Sequence, residues 1–326
     1  MEDQHHRQIT YLRLSIIDRC NLRCFYCTPV QELVKLQHTD ILRYEELLRL
    51  AHIAVAVGIR KIRVTGGEPL IRLGVESFLA ALKAIPGLEE ICLTSNGVLL
   101  ADKAAALWEA GVRHLNISLD SLRPERFARI TGSDRLAHVL AGLRLATAMG
   151  FEPIKINCVV LRGVNDDEVV DFARLSLAYP WHVRFLEFMP IGQTRRHWQE
   201  HYLPVAEIQA RLSPLGPLQR LPTAAHAGPA VRYRFPGAPG EIGFISPISR
   251  HFCGACNRLR LTADGRLRPC LFQDDEVAVK GPLRAGASDA ALQDLFRQAV
   301  RLKPSRHHLD HRSTSACRRT MAGIGG

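Results

Sequence analysis

Tyr11-Leu12-Arg13-Leu14-Ser15-Ile16-Ile17-Asp18-Arg19-Cys20-Asn21-Leu22-Arg23-Cys24-Phe25-Tyr26-Cys27 couples a short apolar run to three thiols spaced C-x3-C-x2-C. The run Tyr11–Ile17 has the length and composition of a buried strand. It delivers the chain straight into the thiols. Soft thiolates this close converge on one soft metal centre, and iron–sulfur clusters or zinc are the usual occupants. Three ligands where a closed site takes four leave one coordination position open for chemistry.

Working outward, the strand-to-loop pattern repeats. Strand candidates at Tyr11–Ile17, Lys61–Thr65, Glu90–Thr94, His114–Leu119, Ile154–Val160 and Val183–Phe188 alternate with helical segments. The latter are Tyr44–Val57, Val75–Ala84, Asp102–Ala110, Leu136–Met149 and Asp167–Leu177. Gly58, Gly111 and Gly150 follow three of these helices, at the left-handed position that closes a helix. Repeated strand–helix units predict a parallel sheet, either a partial barrel or an open doubly wound sheet. Both put the active site at the C-terminal ends of the strands. Small and polar residues collect there: Gly66-Gly67-Glu68-Pro69, Thr94-Ser95-Asn96-Gly97, Ser118-Leu119-Asp120-Ser121 and Glu187-Phe188-Met189-Pro190, with Lys155 and Asn157 on the fifth strand.

After Met189 Pro and Gly become frequent, and Val205–Leu212 is the main helical stretch before residue 250. Val231–Phe235 and Glu241–Ile245 predict a hairpin. No polar linker separates an independent domain, so this part reads as an extension laid across the open side of the sheet.

A second thiol group follows, Cys253-Gly254-Ala255-Cys256 and then Cys270, spaced C-x2-C-x13-C. The spacing suits a three-thiolate iron–sulfur site better than a zinc ribbon, which needs a second C-x2-C. His251 is a possible fourth ligand. Alternation in Asn257-Arg258-Leu259-Arg260-Leu261-Thr262 predicts a strand with Arg258 and Arg260 on one face and Leu259 and Leu261 in the core. Paired guanidiniums beside a metal centre call for an anion, and phosphate is the expected one. Cys92 and Cys158, inside apolar strands, read as small buried residues, and Cys317 as a non-ligand in a basic tail.

The totals agree. The chain has 326 residues, 47% hydrophobic and 23% charged, with a net charge of +11. That excess points to an anionic partner. No apolar run reaches the roughly 20 residues of a membrane span, and the polar start does not read as a signal peptide. A cytoplasmic protein is expected. Nine cysteines, six of them in two groups, point to metal or catalysis rather than disulfides.

The first thiol motif with Gly66-Gly67-Glu68-Pro69 resembles the radical S-adenosylmethionine enzymes. Adding Asp18-Arg19-Cys20-Asn21, Ile62-Arg63-Val64-Thr65, Asn116-Ile117-Ser118-Leu119-Asp120, Cys253-x2-Cys256-Asn257-Arg258-Leu259-Arg260 and Gly325-Gly326 makes the chain similar to the GTP 3′,8-cyclase family from about Tyr11 to its end. The resemblance implies a partial (βα)6 barrel over residues 1–190 and an extension over 191–326. It implies four-iron clusters on Cys20, Cys24 and Cys27 and on Cys253, Cys256 and Cys270. It puts S-adenosylmethionine against Tyr26, Gly67, Ser118 and Met189. GTP falls to Arg13, Arg63, Thr94, Lys155, Arg258, Leu259 and Arg260, and Gly325 and Gly326 reach into the active site. The implied activity is a lyase reaction: a 5′-deoxyadenosyl radical takes hydrogen from C3′ of GTP, and C3′ bonds to C8, the first step of molybdenum cofactor biosynthesis. The implied partners are an electron donor such as flavodoxin or ferredoxin and a downstream cyclic pyranopterin monophosphate synthase, with the chain a monomer or homodimer and neither nucleic acid nor membrane involved. Two other readings fit parts of the chain. A peptide-modifying radical enzyme would usually carry more C-terminal cysteines. A zinc-dependent nucleic-acid binder would interleave aromatics with its basic residues, and aromatics make up only 6%.

Overall fold

Six strands alternate with helices from Tyr11 to Glu187, as the periodicity predicts. The strands are β1 (Tyr11–Ser15), β2 (Lys61–Thr65), β3 (Glu90–Ser95), β4 (His114–Ser118), β5 (Ile154–Val160) and β6 (His182–Glu187). The helices are α1 (Tyr44–Ala56), α2 (Val75–Lys83), α3 (Leu100–Glu109), α4 (Pro124–Thr131), α5 (Leu136–Ala148) and α6 (Val169–Ala178). The structure, a computed structural model, describes residues 1–27, 35–192, 198–222, 228–307, 309 and 317–325. Neighbouring strands from β1 to β6 all pair in parallel. Leu47, Leu50, Phe78, Leu79, Leu107, Val139 and Phe172 pack the helices onto the outer face of the sheet. Helix α4 is absent from the sequence reading because it is only eight residues long and mostly polar, with Phe127 and Ile130 its only buried apolar residues.

The remaining elements are α7 (Trp198–His201), α8 (Val205–Ala210), β7 (Gln219–Arg220), β8 (Val231–Arg234), β9 (Glu241–Ile245), β10 (Arg258–Leu261), β11 (Arg266–Arg268), β12 (Val277–Ala278), α9 (Lys280–Arg284), α10 (Asp289–Arg301) and α11 (Met321–Ile324). The anticipated hairpin forms as β8 and β9. The extension's strands prolong the sheet at both edges. β9 adds in parallel to β6, and β10 adds in parallel to β1. The sheet thus runs β12-β11-β10-β1-β2-β3-β4-β5-β6-β9-β8-β7 and does not close on itself. Helix α10, capped by Ser288 through its hydroxyl to the Ala291 amide, also escapes the sequence reading; it packs Leu292, Phe296 and Val300 into the same core. Among the described residues no helix is long and apolar enough to cross a membrane.

Candidate active site

Alternate residues of a strand face opposite sides of the sheet, and paired residues on neighbouring strands share a side. Register therefore decides what lines the barrel. Arg268, Arg260, Arg13, Arg63, Cys92 and His114 form one row across β11, β10, β1, β2, β3 and β4. Arg258, Tyr11, Lys61 and Glu90 form the row below it. Thr94, Asn116, Lys155 and His182 form another on β3 to β6. This face surrounds a cavity of about 310 Å³ lined by both thiol trios, Arg13, Lys61, Arg63, Lys155, Arg184, Arg258 and Arg260.

The trios sit at opposite ends of the barrel. Cys20, Cys24 and Cys27 follow the C-terminal end of β1. Cys253 and Cys256 precede β10, which runs parallel to β1, so they lie at the other end. Cys270 joins them because β11 runs back antiparallel. The first loop is braced by backbone bonds from the Arg23 and Phe25 amides to Thr131 and Ile130 at the end of α4, 2.8 and 3.1 Å. Asn96 Nδ2 lies 3.6 Å from Cys20 Sγ. The second loop is tied by Arg7, which donates to the Cys253 carbonyl at 2.8 Å, and by Lys303, which donates to the carbonyls of Arg258 and Pro269, each at 2.8 Å.

The spacing of the thiols separates zinc from iron–sulfur occupancy. One tetrahedral zinc, with Zn–S near 2.3 Å, draws its thiolates to about 3.8 Å from one another. Among the described residues, neither thiol trio closes to within 4.8 Å. That wider spacing fits a multi-iron cluster. The two trios differ electrically. Burial raises the Cys20 thiol and lifts the Cys24 thiol well above the ordinary range, with the neighbouring thiols and Asp120 adding to the latter. Burial also opposes ionisation of Cys256, but Arg258 and Lys303 outweigh it and bring it to about 6.

The cations crowd one another. Burial lowers Arg13 to about 10, with Arg63 and Arg258 pushing the same way. Burial, Arg13, Arg258 and Arg268 depress Arg260 well below its usual value. Burial, Arg184, Arg63 and Lys61 bring Lys155 to about 7. Thr94 Oγ1 and Arg63 Nε are buried without a hydrogen-bond partner. A cavity with this charge and these orphaned donors is built for a polyanion.

Every residue expected to touch a ligand, Gly326 excepted, can be placed. Tyr26, Gly67, Ser118, Met189, Arg13, Arg63, Thr94, Lys155, Arg258 and Arg260 all line the cavity. Leu259 does not: it is fully buried, its side chain turned to the core by strand alternation, so its backbone alone can bear on a ligand. Tyr26 Oη donates to Asp120, whose other carboxylate oxygen accepts from the Val159 amide at 2.8 Å. A Cβ on Gly67 would lie 2.2 Å from the Arg19 carbonyl oxygen, so the loop tolerates only glycine there. The Gly325 carbonyl accepts from Arg13 at 3.2 Å and from Thr65 and Arg260, each at 3.4 Å. Gly326 lies outside the described residues. Lys61, Arg184 and Lys303 also line the cavity and were not singled out from sequence. For Lys61 and Arg184 a signal existed: a cation at an alternate position of an otherwise apolar barrel strand must face inward.

Residues 14–176 match the radical SAM superfamily, and residues 181–309 match the molybdenum cofactor synthesis C family. A GTP 3′,8-cyclase of Moorella thermoacetica is 50% identical over 326 residues, covering 100% of both chains. The chain belongs to the GTP 3′,8-cyclase family. Its relatives from Heliobacterium modesticaldum (48% over 327 residues, 100% of both chains) and Geobacter sulfurreducens (48% over 329 residues, 99% of both) carry the same name. Solved structures add likeness of fold alone. Streptococcus suis SuiB bound to S-adenosylmethionine superposes with a TM-score of 0.62 at 12% identity, covering 89% of this chain and 68% of that one. The anSMEcpe enzyme with bound AdoMet gives 0.59 at 14%, covering 92% and 79%. The family's barrel is thus the partial, unclosed one rather than a doubly wound sheet.

Proposed function

We propose that this chain is a radical S-adenosylmethionine GTP 3′,8-cyclase. It removes the C3′ hydrogen of GTP and joins C3′ to C8, giving (8S)-3′,8-cyclo-7,8-dihydroguanosine 5′-triphosphate, the first step of molybdenum cofactor biosynthesis. The observation that carries this reading is one cationic cavity with a three-thiol site at each end.

Cys20, Cys24 and Cys27 would hold the first four-iron cluster, and Cys253, Cys256 and Cys270 the second. When bound, the first cluster supplies the electron that splits S-adenosylmethionine to methionine and a 5′-deoxyadenosyl radical. Tyr26, Gly67, Ser118 and Met189 would position S-adenosylmethionine at the C-terminal ends of the strands, with Asp120 fixing the Tyr26 hydroxyl. Arg13, Arg63, Thr94, Lys155, Arg258 and Arg260 would hold the triphosphate, and the Leu259 backbone and the second trio would meet the base. The tail, anchored by Arg319 to Asp264 at 3.0 Å, brings Met321 and Ala322 to the cavity wall and excludes water. We assign residues 1–190 to the barrel and 191–326 to the extension. A flavodoxin or ferredoxin is the expected electron donor, and cyclic pyranopterin monophosphate synthase the consumer of the product.

The test is anaerobic incubation of reconstituted protein with S-adenosylmethionine, a reductant and GTP, followed by product analysis. The expected products are 5′-deoxyadenosine and the cyclised triphosphate. Formation of 5′-deoxyadenosine with GTP untouched would sink the substrate assignment.

A further inference from the structure

Cys92 reads in the sequence as a small buried apolar residue, but the fold sets two other metal-ligand types against it. Glu90 and Cys92 lie at the start of β3 and His114 begins β4, on the barrel face shared with Arg63 and Lys61. Glu90 Oε1 is 3.0 Å from Cys92 Sγ and 2.6 Å from His114 Nδ1. The ligand atoms of all three lie within 4.8 Å of one another, a closeness that neither thiol trio attains. The group is also separate from the second trio, because β1 and β2 stand between β10 and β3. Cys92 is fully buried, while the Glu90 and His114 side chains keep 26% and 31% of their surface open, so an ion has a way in.

We propose that Glu90, Cys92 and His114 form a binding site for a borderline-soft divalent cation such as zinc. One thiolate, one imidazole and one carboxylate make a donor set that zinc accepts, with water completing a tetrahedron. The obvious objection is charge, since Lys61, Arg63 and Lys155 stand nearby. Glu90 offsets part of it, because its carboxylate oxygen Oε1 already stands against both Cys92 Sγ and His114 Nδ1. Metal binding displaces whatever protons these ligands hold. Glu90 Oε2 remains with Lys61 Nζ, 2.7 Å away, while Oε1 turns to the metal. The site is independent of the cyclase reading.

The experiment uses the full chain, reconstituted anaerobically so that both thiol trios carry their clusters. It is dialysed against zinc chloride and then measured for zinc and iron per chain and by zinc K-edge absorption. We expect about one zinc per chain, unchanged iron, and one sulfur near 2.3 Å with nitrogen and oxygen neighbours near 2.0 Å around the zinc. Cys92→Ala and His114→Gln should each lower zinc retention at least tenfold while keeping wild-type iron content and unfolding temperature. Glu90→Gln, which preserves side-chain shape, serves where either of these fails to fold. No zinc retained at full iron content, three sulfurs per zinc, or unchanged retention in the folded variants would overturn the proposal.

Discussion

Lys155 is the residue at which the cost of an empty cationic cavity can be measured. Burial and the charges of Arg184, Arg63 and Lys61 pull its ammonium from 10.5 to about 7. A depressed lysine weakens the folded state. The penalty is fully present below pH 7, where both folded and unfolded chains hold the proton. It is relieved as pH rises from 7 towards 10.5, where the unfolded chain binds more protons. The gap corresponds to at most about 5 kcal/mol, and water in the cavity screens part of it. Lys155→Met should therefore raise the unfolding temperature of the nucleotide-free protein. A bound triphosphate reverses the balance, because it favours the charged ammonium. Above pH 7 binding must then take up a proton, about 0.9 per chain at pH 8, and affinity should fall up to tenfold per pH unit. The γ-phosphate is itself ionised at pH 8, so the uptake belongs to the protein. Calorimetric titration of GTP in two buffers of different ionisation enthalpy counts that proton. No uptake at pH 8, or the same uptake in Lys155→Met, would refute the reasoning.

The other predictions concern the tail, the thiol trios and the arginines. Gly325 has φ +79°, and a Cβ there would lie 2.8 Å from Ser15 Cβ. The left-handed conformation alone costs an alanine about 1–2 kcal/mol, so Gly325→Ala should release the tail by roughly tenfold or more. Hydrogen exchange at Ala322 to Gly325 reads this out, and unchanged protection would contradict it. Cys24→Ala and Cys256→Ala should each lower iron from about eight to about four per chain. The first should abolish S-adenosylmethionine cleavage, and the second should keep some cleavage but lose the cyclised product; equal loss of cleavage would count against separate duties. Arg258→Ala or Arg260→Ala should weaken GTP binding by about 1–3 kcal/mol, and unchanged affinity in both would move the phosphates elsewhere.

What the sequence made legible was what local rules determine. Lys61–Thr65 and Ile154–Val160 are strands at their anticipated bounds because short apolar runs between glycines and polar turns leave few alternatives. The six cysteines of the two trios stand out in the sequence because thiols in short loops have few other uses. What escaped depends on which strand lies beside which. Nothing local tells β10 to pair with β1, yet that pairing sets Arg260 beside Arg13 and carries the second trio to the far end of the barrel. Glu90, Cys92 and His114 are unremarkable in sequence and become a group only through the register of β3 and β4. The same register explains why the cavity is ringed by cations. Six apolar strands would ordinarily fill a barrel with side chains. Here the inward positions of β1, β2, β5, β6 and β10 carry Arg13, Lys61, Arg63, Lys155, Arg184, Arg258 and Arg260, which repel one another and keep the barrel open for an anion. The apolar contacts that hold the sheet lie on its outer face, under the helices. The family's chemistry can therefore occupy the barrel's interior without competing with the core for space.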